Sequence, residues 1–230
     1  MKKTISTLLI SALTLTSCVS EKEQVAASKT AALWGAETCT IGHTKATSTD
    51  KGTHNIIVVT LKNLKSVDEK YSKEKITSIS ALTTIENIEE KDYKDFDQIK
   101  IVIDDNSSIF EKTYEISKIL KTKPILEKAS SFFSLNTKKD TASLRNLLDK
   151  EFISDTTLYQ LIGAVNELDS VYGKLNNIVF IGFSYNKMQD RNIPLSIVSS
   201  EVTNGQTTTI YTFEISEENE KIVGVSLNNE

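Results

Sequence analysis

From Ile178 to the C terminus, β-branched and aromatic segments alternate with turn signals, and no other feature restricts the fold of this chain so tightly. Ile178 to Tyr185 is apolar on both faces, and its Gly182 marks a bulge or a close backbone approach. Pro194 cannot donate to a ladder, so the strand Leu195 to Thr203 begins there or lies at an edge. Asn204-Gly205 suits a type I′ hairpin turn. Tyr211, Phe213 and Ile215 share one face of the next strand, Glu218-Asn219 turns, and Val223, Val225 and Leu227 share a face of the last. The pattern predicts a four-stranded antiparallel meander.

Helical periodicity precedes it. Pro124 is placed at a first helical position, where its missing N–H costs nothing, which puts a domain boundary at Lys121-Thr122-Lys123-Pro124. Ile125, Ala129, Phe132 and Phe133 mark one short helix. Asp140 can cap a second that buries Leu144, Leu147 and Leu148. A third carries the stripe Leu158, Leu161, Ile162, Val165, Leu168 and Tyr172 and ends at Gly173. Residues 122–230 therefore read as three helices followed by the meander.

The first half is mixed. Gln24 to Thr38 is predicted helical, with Val25, Ala32, Leu33 and Ala36 on its buried face, and Gly42 to Asn55 reads as a polar loop. Ile56 to Leu61 has the composition of a buried strand. Ser66-Val67-Asp68-Glu69 fits a capping box. Ile76, Ile79, Leu82, Ile85 and Ile88 then recur at an interval of three, so that face drifts or the helix breaks near Ser72. Phe96 to Ile103 and Phe110 to Ile119 form a hairpin around Asp105-Asn106-Ser107-Ser108. Residues 25–121 thus form a helix-strand-helix-hairpin unit, and the chain as a whole is of the α+β class.

Lys2 and Lys3 precede an uncharged run from Thr4 to Leu15, shorter than the roughly 20 apolar residues of a membrane span. The run closes on Leu15-Thr16-Ser17-Cys18, which resembles the lipobox of bacterial lipoproteins. The resemblance implies a signal peptide over residues 1–17, cleavage before Cys18, and palmitate-type acyl chains on Cys18. At about 0.8 kcal/mol for each buried methylene, two or three such chains hold stably where one does not. Residues 18–24 then form a short solvated linker, about 20 Å at full extension. The rest of the chain is expected outside the cytoplasm, anchored in the cell envelope. Val19 is not the aspartate that retains some Gram-negative lipoproteins at the inner membrane, so the resemblance favours the outer membrane.

The stretch from Ile125 to Asn228 resembles the NTF2-like and cystatin-like domains, in particular envelope domains of that type. The points of similarity are Phe132-Phe133, Leu147-Leu148, the helix exit Tyr172-Gly173-Lys174-Leu175 and a closing strand led by Lys221-Ile222. That likeness implies a curved sheet around a long helix and a cone-shaped pocket. Its members include isomerases, dehydratases and domains that only bind or assemble.

The net charge of −4, which becomes −6 once Lys2 and Lys3 leave with the signal peptide, argues against nucleic acid as a partner. With Cys18 acylated, Cys39 has no second cysteine in the chain, and a packed side chain is its expected role. Cys39, His43, His54 and Asp50 are the residue types of a zinc site but match no standard spacing, and a polar loop explains them more simply. Asp104-Asp105-Asn106-Ser107 lacks the alternating ligands of a calcium loop and reads as a turn. An isomerase would need an acid or base inside the cone. The strands offer Tyr185, Tyr211, Ser184 and Thr212, with Glu201 and Glu214 expected on exposed faces. No catalytic, metal or cofactor site is assigned. The expectation is a lipid-anchored, non-enzymatic binding or interaction module that takes an envelope protein or a small ligand through an open sheet face or the cone. The alternative is a carrier of, or enzyme acting on, a small apolar ligand in the cone.

Overall fold

The computed structural model describes residues 19–48, 52–65, 67, 71–205 and 207–228. Cys18, Asp50 and the Ser66, Asp68 and Glu69 of the expected capping box lie outside them. Among the described residues the chain is α+β, with six helices and two four-stranded, largely antiparallel sheets.

Helix α1 spans Glu21–Trp34. Its start overturns the expected linker over residues 18–24, because Ser20 and Glu23 form a capping box. The Ser20 N–H donates to Glu23 Oε2 at 2.6 Å, and the Glu23 N–H donates to Ser20 Oγ at 3.2 Å. Gly35, at φ 56°, ends the helix before the expected Thr38. The buried face is Ala26, Ala27, Thr30 and Trp34, while Val25 and Leu33 stay exposed. Small residues allow the close approach to a neighbouring helix that larger ones would block.

Strands β1 (Ala36–Ser48) and β2 (Gly52–Leu64) pair antiparallel, so the expected loop over residues 42–55 is largely two strand arms. Its threonines favour extended backbone, and one face of β1 is solvated, which hides the strand from a hydropathy reading. Helix α2 (Lys73–Asn87) starts at the Ser72 N-cap, where the break was expected. It crosses over to β3 (Gln98–Asp104), which lies parallel to β2. A single turn, α3 (Glu90–Tyr93), intervenes. Strand β4 (Ile109–Glu115) returns antiparallel to β3 and stops short of the expected Ile119, because Ile116 already begins a helix. The sheet order is β1-β2-β3-β4.

Helix α4 spans Ile116–Thr137 and carries Pro124 in its interior, not at its start. Ile116, Ile119, Thr122, Ile125, Ala129, Phe132, Phe133 and Asn136 keep one continuous buried face through residues 121 and 122. Pro124 is on the exposed side, so the carbonyl it leaves unpaired one turn earlier faces water. Asp140 caps α5 (Thr141–Leu147), its carboxylate accepting from the Ser143 N–H at 3.0 Å. Helix α6 (Asp155–Tyr172) buries Leu158 and Val165 as the stripe requires, but Tyr172 points to solvent.

Strands β5 (Leu175–Met188), β6 (Ile193–Asn204), β7 (Thr207–Ser216) and β8 (Ile222–Asn228) form the meander in sequence order. The register shift between Phe180 and Gly182 is the expected bulge, and a Cβ on Gly182 would meet Lys75 Cγ at 3.0 Å. Asn204 pairs with Thr207, so it closes the ladder of β6 and Gly205, not Asn204, is the first central residue of the turn.

One apolar core runs through both sheets. Helix α2 lies between them. Its Ser80 accepts from Trp34 Nε1 at 2.9 Å, Thr77 bonds the Tyr114 hydroxyl at 2.8 Å, and Thr84 faces Thr30 at 3.3 Å. These partners let a helix with so many buried hydroxyls sit inside the protein, since an unpaired one would cost about 1–3 kcal/mol.

Candidate functional site: a trough between the sheets

The face of the meander that α4 covers is filled. Phe132 and Phe133 of α4 stand edge-on to Phe213 at 5.5 and 5.6 Å between centroids, and Phe133 meets Tyr211 at 4.8 Å. All four rings are buried. Such contacts add about 0.5–1.5 kcal/mol a pair beyond the apolar area they bury. Burial pushes the Tyr211 hydroxyl up to about 12, which suits a packing residue better than an acid or base.

The larger recesses lie outside this cluster. One of about 500 Å³ is walled by β4 at Lys112 to Glu115 and by Ser184 and Tyr185 of β5. A second, of about 520 Å³, is walled by Tyr93, Phe96, Ile116 and Leu120. Both include His54, Gln98 and Glu115, so they form one trough. Each volume is in the range of small-ligand pockets.

The first recess has a preorganised aromatic floor. The Tyr185 hydroxyl bonds Thr122 at 3.0 Å and the Tyr114 hydroxyl bonds Thr77, so both rings are pinned from beneath. Burial pushes the Tyr114 hydroxyl up to about 12 and that of Tyr185 higher still. Lys112 Nζ sits 5.8 Å from the Tyr114 ring centre and Lys118 Nζ sits 5.4 Å from that of Tyr185. Glu115 lies 3.9 Å from Lys118, and Asp97 lies 3.7 Å from His54. No ion pair holds Lys112 among the described residues. Sequence reasoning did not single out Lys112 or Lys118. A lysine two residues before a tyrosine on a strand carries no signal until the opposite wall is known.

The zinc-type residues do not converge. Cys39 and His43 lie opposite Leu61 and Ile57 on the helix-covered face of the first sheet, whereas His54 lies opposite Ala46 on the other face. Cys39 is half-buried on β1, not at a helix end, and burial pushes its thiol up to about 11. His43 Nε2 instead meets the buried Glu23 Oε1 at 2.5 Å, with Phe96 beside its ring at 4.6 Å. No group of three metal-type side chains occurs among the described residues. Asp104 and Asp105 pair with Lys62 at 3.5 Å and Lys73 at 3.6 Å, and Asn106 takes the positive φ of a turn. Glu201 and Glu214 lie on strands, both half-buried. Ser184 joins the trough, and Thr212 lies 3.3 Å from Ser199. Comparison of the chain with protein-family models, curated proteins and solved structures finds no match.

Proposed function

We propose that the mature protein is a lipid-anchored envelope module that binds a partner in the trough between its sheets and does no covalent chemistry. The observation that carries this reading is the packing of Phe132 and Phe133 against Tyr211 and Phe213. Three helical segments followed by the meander support an NTF2-like or cystatin-like arrangement of the second half. In such an arrangement these rings occupy the place where a carrier would keep its cavity.

The start of α1 sharpens the reading. Val19 and Ser20 alone separate Cys18 from the first helical residue, so the body stands within about 10 Å of the acylated cysteine. The far end of the trough lies beside that start, because Glu23 meets His43, His43 meets Phe96, and Phe96 lines the trough. A ligand held there would sit close to the membrane surface.

A photo-crosslinking residue placed at Leu120, in the trough, is expected to capture a defined partner in intact cells. The same residue at Thr40, on the open face of the first sheet, is expected to capture none. Equal labelling from both positions would contradict the assignment of the trough.

A further inference from the structure

We infer that the trough takes an extended peptide, acidic where it passes between the sheets and bulky and apolar at its other end. This deepens the proposed binding function and rests on the trough being the binding surface.

The shape of the recess is the first ground. Two open recesses joined through His54, Gln98 and Glu115 suit a chain laid lengthwise better than a compact solute. The wall is the second. Among the described residues β4 pairs with β3 alone and β5 with β6 alone, so each turns an outer edge to the same recess. The β5 edge is already engaged at Phe183, whose N–H bonds Ser78 of α2, which leaves the β4 edge to receive a further strand. A free edge offers backbone donors and acceptors to a further strand, at a spacing of about 4.8 Å.

Charge is the third ground. In the first recess Lys118 faces Glu115 and His54 faces Asp97, which leaves Lys112 with no acidic partner among the described residues, a local positive excess in a chain whose net charge is −4. Such a local reversal favours carboxylates on the partner, and the lysine ammonium groups over Tyr114 and Tyr185 are placed to meet them. The second recess changes character. Tyr93, Phe96, Ile116 and Leu120 give it an apolar wall, and Leu120 is 47% exposed. Glu90, Asp97 and Glu115 outnumber Lys94 at this end, so acidic residues on the partner are disfavoured there and a leucine or phenylalanine is favoured.

The test uses the full mature protein in detergent micelles, with isotope-labelled tyrosine and a synthetic ten-residue peptide. The peptide carries three glutamates in alternation with valine, followed by a leucine-rich end. Saturable binding is expected, with shifts of the Tyr114 and Tyr185 signals. Replacing the glutamates by lysine, or the valines by proline to remove backbone donors, is expected to weaken binding at least tenfold. The double variant Lys112→Glu, Lys118→Glu is expected to do the same while Trp34 fluorescence stays native. Binding that ignores the charge and proline changes would overturn the inference. Citrate shifting both tyrosines when the peptide does not would overturn the peptide and keep the trough. No shift with either probe would overturn both.

Discussion

The Ser78 hydroxyl accepts a hydrogen bond from the Phe183 backbone N–H at 3.2 Å. Ser78 belongs to α2 and Phe183 to β5, so the bond joins the two halves of the chain at the point where the Gly182 bulge meets Lys75. A buried N–H left without an acceptor costs about 1–3 kcal/mol, and Ser78→Ala is expected to destabilise the protein by that amount. Because the core is continuous, Phe133→Ala, at about 3–5 kcal/mol, should move the unfolding midpoint of the single tryptophan, Trp34, as far as that of the far-ultraviolet signal. Separate midpoints would show two independent units.

Gly205 is held by two constraints. Its φ is 58°, and a Cβ built on it would stand 2.1 Å from the Tyr172 carbonyl oxygen. Gly205→Ala is expected to cost at least ~2 kcal/mol, from left-handed strain and the displacement of the α6 exit. Urea denaturation measures it, and a neutral result would mean that the turn is free to move.

Asp149 sets part of the acid stability. Burial alone would raise its carboxyl, but the Glu151 N–H, the Asn219 amide and the charges of Lys221 and Arg145 together hold it below its ordinary value of 3.8. The folded state therefore favours the carboxylate. Its contribution is fully present above the unfolded value and is lost as pH falls through the folded one. Asp149→Asn should lower stability at neutral pH and flatten the loss seen below pH ~4. Parallel pH-stability curves for the two proteins would contradict this.

Asn136 is 1% exposed on α4, and neither of its amide atoms has a protein partner among the described residues. Replacing it with a leucine removes a group whose burial without a partner costs about 1–3 kcal/mol, so Asn136→Leu is expected to raise the melting temperature. A lower melting temperature would mean that the amide is held by something a leucine cannot replace.

The meander was legible because its strands are short β-branched and aromatic runs and each turn carries a glycine, proline or asparagine signal. The Asp140 cap and the Gly173 helix exit were legible for the same local reason. The threonine-rich arms of β1 and β2 were not, since their polar residues look alike in a solvated strand and in a loop. Pro124 misled because its tolerance inside α4 depends on which side of the helix faces water, a tertiary fact. The first recess of the trough is assembled from β1 to β5 and α4, and no local spacing brings His54, Lys112 and Tyr185 together. Glu23 sits in a charged stretch that looks like solvated linker, but the helix cap and His43 hold it buried.

The placement of this protein rests on Cys18, and intact mass spectrometry of the membrane-extracted protein tests it most directly. A chain beginning at residue 18 and heavier than its sequence by two or three fatty acyl groups, released from the membrane only by detergent, is expected. A chain that still begins at Met1, or one with a free thiol at Cys18, would contradict it.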